Sequence, residues 1–245
     1  GYTISGLSIN STKRYQGLFG YVKGGTIKDL TVAGSVTTSN SNAAGIVGYG
    51  YPVTLENCVN RATVSSATKG NIAGVVAYVG GSTRNTLKNC RNEANITGCG
   101  DFVGGVVASG SNVTMGNCWN TGDIVNTKTP SSMTYCVGGV AGGLSSGSTA
   151  TRCVNTGRIS STVKRTGGIA GGLGGSTLNS CYNIGEVHGI YGVGGVVGSI
   201  SAANTQITDC YNLGNVICAA PTAVFTDKYA KGVGGIVGDP TDTSN

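Results

Sequence analysis

The feature that most constrains this chain is its internal repetition. One block reads two glycines, two small apolar residues and then Gly or Ala, as in Gly138-Gly139-Val140-Ala141-Gly142, Gly167-Gly168-Ile169-Ala170-Gly171 and Gly194-Gly195-Val196-Val197-Gly198. Variants stand at Gly17 to Gly20, Ala44 to Gly48, Ala73 to Ala77, Gly104 to Ala108 and Gly234 to Gly238. The glycine before the apolar pair falls at positions 17, 45, 74, 105, 139, 168, 195 and 235, so successive blocks lie 28, 29, 31, 34, 29, 27 and 40 residues apart. A second block follows each of the middle six: Asn57-Cys58-Val59-Asn60, Asn89-Cys90-Arg91-Asn92, Asn117-Cys118-Trp119-Asn120, Arg152-Cys153-Val154-Asn155, Ser180-Cys181-Tyr182-Asn183 and Asp209-Cys210-Tyr211-Asn212. Counting from Cys, the even offsets carry Cys, Asn, a small residue (Ala62, Ala94, Gly122, Gly157, Gly185, Gly214) and a β-branched residue (Val64, Ile96, Ile124, Ile159, Val187, Val216). The odd offsets are unrestricted. A period of two with one restricted face is a half-buried strand.

A unit of 28–34 residues made of short strands and corners cannot bury its own apolar face, but a stack of such coils can. The spacing therefore predicts an all-β β-solenoid (β-helix) of about seven to eight coils, with residues 1–245 forming one repeat domain. At about 4.8 Å per coil the rod is roughly 35 Å long. A propeller blade is longer, about 40–45 residues, and needs recurrent hairpin turns that this chain lacks. Composition agrees: Gly is 44 of 245 residues and charged residues are only 11%, which excludes a solvated disordered chain, while 4 prolines exclude collagen. No apolar run approaches the ~18 residues of a membrane helix, so no direct membrane insertion is expected. The formal charge of +6 is scattered in ones and twos, without the basic block that a nucleic-acid arm needs. Residues 1–10, GYTISGLSIN, already read as strand and corner rather than as a signal peptide. That start predicts a fragment of a longer protein.

The GGIVG-type block followed by NCxNxGxV, with a leading GYTISGL and Gly17-Leu18-Phe19-Gly20, resembles the GLUG-motif repeats of large bacterial secreted and cell-surface proteins. The resemblance covers nearly the whole chain. It implies an extracellular, cell-surface location in a bacterium and an adhesive role. Similar repeats also occur in non-catalytic parts of some IgA-cleaving metallopeptidases, but a zinc signature of two His flanking a Glu cannot exist with His188 as the only histidine.

Six cysteines, Cys58, Cys90, Cys118, Cys153, Cys181 and Cys210, share one column. The first repeat places Leu30 on that column and Val32 on the Asn column. A position that accepts Leu is apolar and interior, so the cysteines are expected to be unpaired small hydrophobes. In-register coils hold Cβ atoms about one strand spacing apart, wider than the ~3.8 Å of a disulfide. No C-x₂-C pair occurs and no metal or other cofactor is expected. Cys99, Cys136 and Cys218 lie off the column. Asn60, Asn92, Asn120, Asn155, Asn183 and Asn212 are expected to form a buried amide ladder.

A column of Thr26, Thr54, Thr86, Thr114, Thr149 and Thr177 reads as strand propensity rather than an ice-binding face, because the adjacent outward column is irregular and charged. Polysaccharide-cleaving solenoids need clustered carboxylates. The nearest set here, Asp123, Arg158 and Glu186 in successive repeats, reads first as an exposed ion-pair ladder. The Gly-Gly pairs lack a following Lys-Ser/Thr and are not phosphate loops.

Ligand contacts are therefore sought on the columns free to vary. Trp119, Tyr182 and Tyr211 follow the Cys column and form a candidate stripe, with Ile184 and Leu213 beside it. Two extended segments, 126–136 and 217–232, read as loop insertions on one side of the rod, the second also as a cap. They predict an aromatic and basic edge of Tyr135, Tyr191, Phe225 and Tyr229 with Lys128, Lys164, Arg165, Lys228 and Lys231. The expectation is a non-enzymatic adhesin segment for a host glycan or extracellular protein. The alternatives are a structural stalk and a glycan-active enzyme.

Overall fold

The computed structural model describes residues 1–68, 70–128, 135–219 and 233–239. These contain strands and no helix, and every strand pairing among them is parallel. They stack as a β-solenoid of about seven turns. The coil from Phe102 to Asn126 shows the path. Phe102–Gly104 lies on a first face, Val107–Ser111 on a second, Val113–Gly116 on a third, and Trp119–Asn120 with Ile124–Asn126 on a fourth. Repeated along the rod, the four faces become sheets of 7, 8, 7 and 13 strands.

The period-two columns sort by burial as their chemistry requires. On the third face Leu55, Leu87, Met115, Ala150 and Leu178 point inward. The threonines flanking them pair in register on the outside, Thr26 with Thr54, Thr86, Thr114, Thr149 and Thr177 in turn. Two apolar clusters result. One joins the second and third faces with the Cys column, and the other joins the first face to the β-branched column of the fourth. Full burial of each Val, Leu or Ile contributes about 1.5–3 kcal/mol, so the stacked columns supply the main stabilisation.

The glycine-rich block has a steric reason. A Cβ on Gly105, Gly139, Gly168 or Gly195 would overlap the carboxamide of Asn120, Asn155, Asn183 or Asn212 of its own coil. The block's fifth residue, as at Gly142, Gly171 and Gly198, lies against first-face backbone, at Val103, Val137 and Thr166. The two repeat motifs are thus one packing unit, in which glycine at one corner makes room for asparagine across the coil.

The residue before Leu30 and before each column Cys turns the third face into the fourth. Asp29, Asn57, Asn89, Asn117, Arg152, Ser180 and Asp209 all have φ between 52 and 54°. Asn and Asp tolerate this left-handed conformation; Arg and Ser adopt it at a cost.

Candidate interaction surfaces

The amide column is a continuous ladder. Nδ2 of Asn60, Asn92, Asn120, Asn155 and Asn183 each donates to Oδ1 of the next Asn at 2.7–2.8 Å. The second proton of each goes to the carbonyl two residues on, for example Asn120 to Gly122 at 2.8 Å. Five of the six residues are wholly buried and all their amide protons are used, so this column is structural.

All nine cysteines are free thiols. Along the column Cys58, Cys90, Cys118 and Cys181 donate to carbonyls of the preceding coil (Ile27, Leu55, Leu87 and Ala150) at 3.4–3.6 Å. The neighbouring Cys153 thiol, opposed by Cys210 and reinforced by burial, pushes Cys181 up to about 12. Burial pushes Cys136 up to about 11 against the pull of Arg165. Such thiols stay protonated and inert at neutral pH. The Cys90 thiol beside Cys58 holds that group below its ordinary value, yet Cys58 is 0% exposed. Among the described residues no group of three or more His, Cys, Asp or Glu is placed to hold a metal.

The residues of the candidate stripe lie in one file on the fourth face. Val59, Arg91, Trp119, Val154, Tyr182 and Tyr211 pair in register from coil to coil. The Arg91 guanidinium lies 5.2 Å from the Trp119 ring centroid, and Tyr182 stacks on Tyr211 at 5.0 Å with 2° between planes. Val154, expected outside, is only 3% exposed because its larger neighbours close over it. Stacking along the rod uses ring faces within the file and leaves mostly ring edges and hydroxyls for a partner.

The basic and aromatic edge is partly assembled. Tyr135 and Lys164 immediately precede the paired Cys136 and Arg165, and Tyr191 stands two before Val193, the partner of Thr166. These three therefore share one column. Lys128 joins them, its Nζ 2.8 Å from Asp101 Oδ1 and 4.7 Å from the Tyr135 ring centroid. The column closes a corner instead of projecting from it: Lys164 is 6% and Tyr191 7% exposed. Arg165 is half-buried on the first face. Phe225, Tyr229, Lys228 and Lys231 lie outside the described residues, as does most of segment 217–232.

Asp123, Arg158 and Glu186 form the expected charged file. The Arg158 amide donates to Asp123 Oδ1 at 2.9 Å, and its Nε lies 3.0 Å from Glu186 Oε1. A second pair of contacts joins Glu93 to Arg61 at 2.7 Å and to Arg91 at 3.3 Å.

Two features escape the sequence reading. Outside the corner before each Cys, Asn57 donates to Asp29, Asn89 to Asn57, Asn117 to Asn89 and Arg152 to Asn117, a second and solvent-exposed ladder. On the second face Tyr21, Tyr49 and Tyr78 pair in register and stack, with centroids 5.2 and 4.9 Å apart, and Tyr15 tilts against Tyr49 at 5.1 Å. Burial and the neighbouring phenols raise the Tyr49 hydroxyl above its ordinary value. The signal was present as Gly20-Tyr21, Gly48-Tyr49 and Ala77-Tyr78 at the end of the glycine block.

Comparison with protein-family models, with curated proteins and with solved structures finds no match.

Proposed function

We propose that the chain is a non-enzymatic β-solenoid segment of an extracellular bacterial surface protein, and that it adheres to a host glycan or extracellular protein. The fourth-face stripe carries this reading. Trp119 is 38% and Tyr211 46% exposed, and Ile184 at 46%, Leu213 at 72% and Ile217 at 42% widen the stripe toward the C-terminal coils. Exposed apolar side chains gathered on one face of a protein with so little charge support an interaction surface there. The stacking within the file favours a partner that meets ring edges and hydroxyls, as a protein surface does, over a sugar ring lying on an open aromatic face. The resemblance of the repeats to GLUG-motif regions supports the extracellular setting.

A purely structural stalk is the second reading, favoured by the parallel in-register pairing that continues from coil to coil after the single shift between Ile4 and Leu7. The purified protein, screened against host glycans and matrix proteins beside the triple variant Trp119→Ala, Tyr182→Ala, Tyr211→Ala, separates the two. Adhesion predicts saturable binding that the triple variant loses while its circular dichroism is unchanged. Silence from both proteins, each folded, supports the stalk.

A further inference from the structure

The outward column of the second face changes character halfway along the rod. Tyr21, Tyr49 and Tyr78 are followed in register by Ser109, Gly143, Gly172 and Ser199. Two successive coils without a side chain leave a groove of about 220 Å³. Its wall comes from the first face, where Phe102, Cys136 and Arg165 pair in register. Phe102 and Cys136 lean over the glycines: a Cβ on Gly143 would come within 2.9 Å of the Phe102 ring, and one on Gly172 within 2.9 Å of Cys136 Sγ. Ser109, Ser145 and Ser201 add to the lining.

The groove ends at Gly172 and Gly174: the next residue of the column, Ser199, is 1% exposed and is followed in register by the buried Asp239, so the C-terminal side is closed and Ser201 completes the rim.

We propose that the groove binds one carboxylated sugar ring, of the hexuronate class. A glycine floor lets a ring approach the backbone closely. The Phe102 ring offers an apolar surface to the C–H edge of a sugar, while the serine hydroxyls pair with its hydroxyls. Arg165 recognises the carboxylate; a guanidinium carries five donors, so it can do so while keeping its contacts within the protein. The volume is below the ~300–1,000 Å³ of pockets for larger ligands, which fits a single ring. The formal charge of +6 draws an anion toward the rod. The groove lies on a different face from the aromatic stripe, so this inference goes beyond the adhesion reading and each can fail alone.

The test is titration of the ¹⁵N-labelled chain with D-glucuronate, D-glucose and acetate, followed by amide chemical shifts. Glucuronate is expected to give saturable shifts confined to Ser109, Gly143, Gly172 and Ser201 and their neighbours, with glucose and acetate at least about tenfold weaker. Ser109→Tyr extends the tyrosine file by one coil at a half-exposed position; it closes one end of the groove and removes the shifts without loss of fold. Arg165→Gln reduces glucuronate to the level of glucose. The proposal is overturned by no saturable shift, by an equal response to glucose or acetate, or by glucuronate shifts that survive Ser109→Tyr. Shifts centred on Trp119 and Tyr211 overturn it as well, and support the adhesion reading instead.

Discussion

The first coils and the later coils build the same fourth face in different ways. Near the N-terminus it is one uninterrupted strand per coil, Leu30–Thr38 and then Val59–Ser66, paired residue by residue from Thr31 to Thr38. From Arg91 onward it divides into a strand of two residues and one of three, such as Trp119–Asn120 and Ile124–Asn126. The columns change one coil earlier: Leu30 and Val32 stand where Cys58 and Asn60 and all later coils carry Cys and Asn, so the coil of Val59–Ser66 has both an unbroken strand and the amide. The small position four after Cys passes from Ala62 and Ala94 to Gly122, Gly157, Gly185 and Gly214, where a Cβ would press into the carbonyl of the coil before. A corner that interrupts a strand leaves backbone carbonyls to be satisfied, and the Asn amide does this while also bonding the next coil. Backbone pairing therefore holds the register along the whole rod, and from Asn60 onward a side-chain amide ladder is added to it.

Substitution of Asn120 by Leu breaks the amide system at its centre. It orphans a buried donor of Asn92 and the acceptor of Asn155, for a loss of about 2–6 kcal/mol by chemical denaturation. Val32→Ala, in the coil whose column carries no amide, removes only buried methyl groups and is expected to cost about 1–2 kcal/mol. A comparable loss at both positions would erase the distinction between the two regions.

A smaller effect sharpens the comparison at the corners. Arg152 holds the left-handed conformation that Asn57, Asn89 and Asn117 hold in earlier coils. Arg152→Asn keeps a donor for Asn117 Oδ1 and relieves the strain, so stability should rise by about 1 kcal/mol with a higher melting temperature.

The smallest effect concerns Glu93. Its carboxyl is held below the ordinary value of 4.5 by the Arg61 hydrogen bond, against burial and with help from Arg91. A depressed carboxylate stabilises the fold above its unfolded value and loses that contribution as pH falls through its folded value. The difference in stability between the wild type and Glu93→Gln, a few tenths of a kcal/mol for so exposed a pair, should therefore be present at pH 7 and vanish well below pH 4.5.

Much of this was legible because a strand records its two sides in alternate residues. The Cys and Asn columns, their alignment with Leu30 and Val32, the free thiols and the outward Thr file all follow from that alternation. Burial of Lys164 and Tyr191 was not legible, because whether a corner residue projects or closes over its neighbour depends on the coil above it. Val154 was misplaced for the same reason. The second-face groove is hardest to read in sequence: it is made by side chains that Gly143 and Gly172 lack and by a wall that arrives from the preceding strand. The left-handed corner shows plainly where Asn precedes Cys and is hidden where Arg152 or Ser180 does.

The amide ladder also gives the rod a sense of direction. Every carboxamide from Asn60 to Asn183 donates toward the C-terminal coil, and the sequence begins with the Asn60 oxygen taken by the Ala62 amide at 3.1 Å. The group dipoles add head to tail, each polarising the next. A coil inserted in reverse would set oxygen against oxygen on one side and proton against proton on the other. The buried asparagines thus work as a one-way thread, to which another coil can be joined in only one orientation.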